Sequence, residues 1–244
     1  MFVPDHDAVH VSVAFTWDVS RGEWLKMQWE AATKKRVMIG GPAFGDPGMS
    51  FVAGRYVRPG VTFTSRGCPN RCKWCLVPAR EGVLRELPVV PGNTVQDNNL
   101  LACSPRHLDR VFSMLSYQSM IRLSGGLESS RINTKVADRL RGLRIREIWL
   151  SCDSGAFLEP VGRAIGILRK AGFRQRQIRV YVLVGKTRVE EEGRLREIFG
   201  MGAFPFAQLY RSEDGGELYG PEWKSFVRTW SRPAAYVTLM GGDR

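Results

Sequence analysis

The stretch REIWLSCDSGAFLEPVGRAIGILRKAGFRQRQIRVYVLVG, residues 146–185, opens on an apolar run, REIWLSCD (146–153). It passes through a helical segment near Glu159 to Ala171 and ends on a second apolar run, IRVYVLVG (178–185). Two strand-like runs separated by a helix of roughly 10–15 residues predict a βαβ unit, because parallel strands need a long crossover between them. The same beat continues in both directions. VTFTS (61–65) precedes a cysteine-rich loop, and NTVQDNNLL (93–101) precedes a helix from Ser104 to Ser116. SMIRLSGG (119–126) precedes a helix near Thr134 to Leu143, and a helix near Val189 to Met201 leads into FPFAQLY (204–210). Alternating strands and helices predict an α/β fold with a parallel sheet. Six units, short of the eight of a closed barrel, predict an open, partial (β/α)6 TIM-like barrel over residues 61–212. The rhythm is one of secondary structure, without a sequence repeat.

Outside this core the chain carries a short α/β segment, residues 1–60, and a tail, residues 213–244. In the first, HVSVAF (10–15) and RVMIGG (36–41) predict strands, and Ser20 to Thr33 predicts a helix with Ser20 as its N-cap. The Gly- and Pro-rich Pro42 to Pro59 predicts a connector. In the tail, Glu213 to Gly216 predicts a turn, and PEWKSFVRTW (221–230) predicts an amphipathic helix lying over one end of the barrel.

Composition sets bounds. The chain has 244 residues, 43% hydrophobic and 25% charged, which excludes global disorder. No apolar run approaches the roughly 20 residues of a membrane-spanning helix, and Met1 to His10 carries Asp5 and Asp7 where a signal peptide has basic residues. A cytoplasmic protein with no membrane partner is expected. Net charge is +12, and all of it lies in residues 61–212, with 25 Lys/Arg against 13 Asp/Glu. Most of those cations are arginine, suited to bidentate phosphate or carboxylate contacts. An anionic partner such as RNA, DNA or a nucleotide follows, and a generally basic, solubilising surface is the plainer alternative.

Three of the five cysteines, Cys68, Cys72 and Cys75, stand in RGCPNRCKWC (66–75) with spacing C-x3-C-x2-C. Thiolates this close in one loop can reach a single soft metal centre. Three ligands leave one iron of a cubane cluster open to a substrate or cosubstrate, whereas structural zinc wants four. A fourth ligand could come only from Cys103 or His107, neither at a usual zinc spacing. Cys103 and Cys152 are expected to be small buried residues.

The motif, with Trp74 just before its last cysteine and a barrel strand just before its first, resembles the signature of the radical S-adenosylmethionine (SAM) superfamily. The longer string TSRGCPNRCKWCLVPAREG (64–82) is most similar to the branch of methylthiotransferases and cobalamin-dependent radical enzymes. The resemblance implies a [4Fe–4S] cluster on Cys68, Cys72 and Cys75, with SAM on the open iron and a reductant such as a flavodoxin or ferredoxin. It implies reductive cleavage of SAM to a 5′-deoxyadenosyl radical that abstracts hydrogen from a substrate. By the same resemblance the backbone at Trp74 lies by the adenine, and Asp97, Asn98 and Asn99 meet the SAM amino group. Asp153 reaches the ribose hydroxyls, and Gly185 lets backbone approach the adenine. The residues themselves also allow an Asx-rich helix-capping turn at 97–99 and an ordinary strand-end turn at Gly185. Gly125, Gly126 and Glu128, after the third strand, are expected to face the C-terminal mouth of the barrel, where active sites are built. Arg66, Arg71 and Lys73 flank the cysteines, where positive charge would stabilise thiolates and a reduced cluster, guide an anionic substrate, or simply be solvated.

The chain also departs from that branch. Residues 1–60 contain no cysteine for a second cluster, and the 32-residue tail is shorter than an RNA-binding β domain. MIGGPAFGDPG (38–48) looks like the end of a flavodoxin-like domain, of which residues 1–60 hold only a remnant that is not expected to bind cobalamin. The competing function is a basic nucleic-acid-binding protein with a structural zinc or iron–sulfur site.

Overall fold

The computed structural model describes residues 5–45, 57–212 and 219–241. In chain order the elements are β1 (Ala8–Ser12), α1 (Val19–Ala32), β2 (Arg36–Gly40), β3 (Val61–Thr62), β4 (Ser65–Arg66), α2 (Val77–Glu81) and β5 (Arg85–Glu86). Then come β6 (Thr94–Val95), α3 (Pro105–Ser116), β7 (Ile121–Leu123), α4 (Thr134–Arg141) and β8 (Ile145–Ser151). The chain ends with α5 (Leu158–Lys170), β9 (Ile178–Val184), α6 (Arg188–Gly200), β10 (Phe204–Leu209), α7 (Pro221–Trp230) and α8 (Pro233–Leu239). The expected turn Glu213–Gly216 and residues 46–56 of the expected connector lie outside the described residues.

These elements form two compact units. The smaller holds β1, α1 and β2 together with Arg71–Gly82, hence α2. Its β1 and β2 are parallel, joined by α1 as one βαβ unit. Gly22 lets α1 press close, since a Cβ there would stand 2.4 Å from the Val13 side chain. The helix starts one residue before the expected Ser20 cap; Asp18 is its N-cap and makes no side-chain capping bond.

The larger unit holds the main sheet, with β4, β5 and every helix from α3 to α8. Its strand order, β10-β9-β8-β7-β6-β3, follows the chain, and every neighbouring pair is parallel. A sheet wound in one direction by right-handed crossovers places its helices on one face. The burial pattern of β9 agrees: Ile178, Val180, Val182 and Val184 are buried, while Arg179, Tyr181 and Leu183 between them are half-buried. The buried face packs on Ile165 and Leu168 of α5 and on Leu195 and Ile198 of α6, all fully buried. Truncating one such side chain to alanine costs about 2–5 kcal/mol. The other face carries an aromatic row. Trp149 stacks on Tyr181 at 4.2 Å between ring centroids, and Phe206 meets Tyr181 edge-on at 5.8 Å. Below that row Arg179 and Arg122 flank Glu147, at 3.5 and 3.9 Å.

The tail is not a separate layer, since α7 and α8 pack within the sheet's own unit. The amphipathic helix at 221–230 is α7 as expected, buried through Phe226 and Trp230. α8 was not legible in the sequence. It is fastened by Tyr236, which stacks on Trp230 at 5.6 Å and meets Phe199 and Phe204 edge-on.

Candidate functional site

The site grows from the place where the first sheet strand stops early. VTFTS reads as one strand, but β3 ends at Thr62. Asp97, just beyond β6 and 2% exposed, accepts the Thr64 backbone N–H at Oδ1 (2.6 Å). Its Oδ2 accepts the Thr64 hydroxyl and, at 2.8 Å, the Ser65 hydroxyl. Burial raises the pKa of Asp97, and the hydrogen bonds from Thr64 and Ser65 pull it back. The brace turns the chain out of the sheet, and Ser65–Arg66 pairs antiparallel with Arg85–Glu86 as the β4–β5 ribbon.

The next two residues hold the start of the cysteine loop. Asn98 Oδ1 accepts the N–H of Gly67 at 3.0 Å, and Gly67 sits at φ +78°, a conformation that suits glycine. Asn99, 4% exposed, points its Nδ2 at the Cys68 sulfur (3.6 Å) and donates to Glu128 Oε2 (2.7 Å). The backbone N–H of Asn70 also donates to the Cys68 sulfur, at 3.4 Å. Asp97, Asn98 and Asn99 thus grip residues 64–68 in succession, and Cys68 is fixed at the junction of three strand ends.

Glu128 closes this group from the loop after β7. Burial works against its charge, but hydrogen bonds from Asn99, Ser130, Arg131 and Asn70 prevail and hold its pKa down to about 2. It is therefore a carboxylate throughout the physiological range. Asn99 Oδ1 is buried without a hydrogen-bond partner. A buried amide oxygen held beside a carboxylate that is already saturated by Asn99, Ser130 and Arg131 is an open acceptor, which suits an N–H donor such as an ammonium group. Gly125 makes the close approach feasible, because a Cβ there would fall 2.0 Å from the Asp97 carbonyl oxygen.

Asp153 and Gly185 stand beyond β8 and β9 with different neighbours. Burial raises the Asp153 pKa, and Arg194 of α6 opposes it. Gly185 (φ +138°) donates its N–H to Glu191 at 2.9 Å, and a Cβ on it would meet the Tyr219 hydroxyl at 2.3 Å. Gly185's open side is thus faced by the Tyr219 side chain. Of the expected residues, Asp97, Asn98 and Asn99 join the Cys68 group directly. Thr64, Ser65 and Asn70 went unrecognised in the sequence. The one signal for them is a pair of hydroxyl residues interrupting an apolar strand just before the cysteines.

The thiols themselves differ in availability. All five cysteines are unbridged; Cys72 and Cys75 are exposed and Cys68 is half-buried. Cys103 and Cys152 are buried, and burial pushes their thiols up to about 11 and about 12. The metal-competent donors are therefore the three soft thiols of the loop, a set that fits an iron–sulfur group by donor chemistry. Cys68 belongs to the larger unit, and Cys72 and Cys75 to the smaller. In the latter the Cys75 N–H donates to the Cys72 carbonyl at 3.0 Å, and the Lys73 ammonium lies 5.1 Å from the centre of the Trp74 ring. Among the described residues, no three His, Cys, Asp or Glu side chains are gathered as a metal-holding group. No helix among them is long and apolar enough to cross a membrane. Compared with protein-family models, with curated proteins and with solved structures, the chain matches none.

Proposed function

We propose that the chain is a radical SAM enzyme on a partial (β/α)6 barrel, with Cys68, Cys72 and Cys75 holding a [4Fe–4S] cluster. The observation that carries this reading is the Cys68–Asn99–Glu128 group, which ties the first cysteine of a C-x3-C-x2-C loop to the ends of the second and third sheet strands. When bound and reduced by a flavodoxin or ferredoxin, the cluster supplies the electron that cleaves the SAM sulfonium. The chain's own residues orient and shelter the reactants. Asn99 Oδ1, buried and unpartnered, would accept a hydrogen bond from the SAM ammonium group, and Glu128, whose oxygens are taken by Asn99, Ser130 and Arg131, would hold Asn99 in place for it. Asp97 is a positioning residue: both its oxygens are committed to Thr64 and Ser65, so it sets the path of the loop and does not face the ligand. Asn98 fixes the Gly67 turn ahead of Cys68. Asp153 is suited to ribose hydroxyls, as carboxylates are in other ribose sites.

A zinc-bound binding module is the competing account, and it needs a fourth ligand. Cys103 is buried with a thiol that resists ionisation. His107, 2% exposed, faces Glu86 at 3.7 Å through Nδ1. Cys103 does not suit that role, and His107, whose buried Nε2 has no hydrogen-bond partner among the described residues, is the candidate that a metal assay has to exclude. The test is metal content after anaerobic reconstitution. The native chain should take up about four iron and four sulfide, and Cys72→Ala should lose them while keeping its fold by circular dichroism. A full cluster in Cys72→Ala would overturn the assignment.

A further inference from the structure

A concentration of arginine lies at the end of the sheet opposite Cys68. Two consecutive turns feed β8 and β9: RLRGLRIR (139–146) and RKAGFRQR (169–176). Each carries four cations and no carboxylate, together 8 of the 25 Lys/Arg in residues 61–212. β8 and β9 are neighbours, with Ile148 opposite Ile178, and Gln177 in the 3-10 turn before β9 donates its side-chain amide to the Ile145 carbonyl at 2.8 Å, so the two arginine turns lie side by side. Arg141, Arg146, Arg174 and Arg176 are exposed and line one pocket of about 380 Å³ with Met120 and Gly172. Among the described residues none of the four is in an ion pair with a carboxylate, whereas Arg139 of the same run is paired with Asp109. Guanidinium groups crowded around one concavity repel one another, and a bound anion relieves that repulsion.

The preceding turn supplies a different chemistry. Arg144 reaches back to the Gln118 and Ser116 carbonyls at 2.9 and 3.2 Å, fastening the α3–β7 turn to the arginine edge. That turn presents Tyr117, 82% exposed, and places Met120 at φ +56° on the pocket rim. An arginine row beside an exposed aromatic ring is what a single-stranded nucleic acid requires, with phosphates on the cations and a base on the ring.

We infer that this edge binds the phosphodiester backbone of a single-stranded nucleic acid, at the opposite end of the sheet from Cys68. Binding would hold an anionic polymer on the enzyme without occupying the Cys68 group. The inference rests on the arginine edge and Tyr117 and needs neither iron nor SAM.

The test is fluorescence anisotropy with a labelled 15-nucleotide oligouridylate, titrated with the full chain between 50 and 300 mM KCl. Affinity should fall steeply with salt, at about 0.7 logarithmic units of slope per phosphate contacted. Arg141→Gln/Arg174→Gln/Arg176→Gln should flatten that slope by about 2 and weaken binding at least about tenfold at low salt. Tyr117→Ala should weaken binding about fivefold or more with the slope unchanged. Lys224→Gln/Arg228→Gln/Arg232→Gln removes the same charge from the α7–α8 region and should leave the slope as it was. Equal losses in the two triple variants, no binding by the native chain at 50 mM, or capture of polyglutamate in preference to the oligonucleotide would each overturn the assignment. Iron content, read separately, tells this failure from failure of the cluster assignment.

Discussion

At the scale of single residues, the site is a set of constraints on where Cys68 can be. Gly125 is the tightest of them. Alanine there would overlap the Asp97 carbonyl, so Gly125→Ala should lose about 2–3 kcal/mol of stability by urea unfolding. A loss under about 0.5 kcal/mol, the range of an ordinary surface change, would mean that the two strand ends are not so closely apposed. Glu128 makes a prediction with a sign. Its folded pKa, about 2, lies below the usual carboxylate value. Its stabilisation is therefore complete above about pH 4.5 and disappears as pH falls toward 2. Glu128→Gln should be less stable than the native chain by roughly 1–2 kcal/mol at pH 7, after allowance for solvent screening. The gap should close on acidification, as read from melts across that range. A gap that held constant with pH would remove the carboxylate's charge from the account. Asp97 works in the opposite sense, because its pKa is raised by burial and its negative charge opposes folding at neutral pH. Its hydrogen bonds to Thr64 and Ser65 offset that cost.

At the scale of elements, the sequence was most legible where strands are long and buried. β8, β9 and β10 appear within a residue or two of their expected bounds, since alternating apolar residues leave one register that buries them. The early strands were less legible. Val61 to Ser65 has the composition of one strand, but a carboxylate 32 residues later in the chain breaks it after Thr62 and sends the rest to β5. No local pattern carries that information. α8 escaped notice for a related reason: PAAYVTL is short, and it is fixed mainly by Tyr236 beneath Phe199, Phe204 and Trp230. The Tyr236 hydroxyl is buried without a hydrogen-bond partner. Tyr236→Phe should therefore match or exceed native stability by up to about 1 kcal/mol, whereas Tyr236→Ala should lose about 3–5 kcal/mol. If Tyr236→Phe were clearly destabilising, the hydroxyl would have a partner after all.

At the scale of the whole molecule, the chain-order parallel sheet and the basic middle of the chain could both be read from the sequence. The placement of the charge could not. The two arginine runs look like ordinary helix ends and turns until the strand order sets them side by side at one edge. Candidate site residues were legible in part. Asp97, Asn98 and Asn99 stand at the cysteine loop, but only the structure separates Asp97, whose oxygens brace the loop, from Asn99, whose Oδ1 is left without a partner among the described residues. The central claim is that the loop thiols hold a cluster with one iron open to SAM. The most direct measurement is electron paramagnetic resonance of the anaerobically reconstituted, dithionite-reduced chain, with and without SAM. The account predicts a [4Fe–4S]⁺ signal whose g-values shift on adding SAM. A cluster signal indifferent to SAM, or stoichiometric zinc in place of iron, would contradict it.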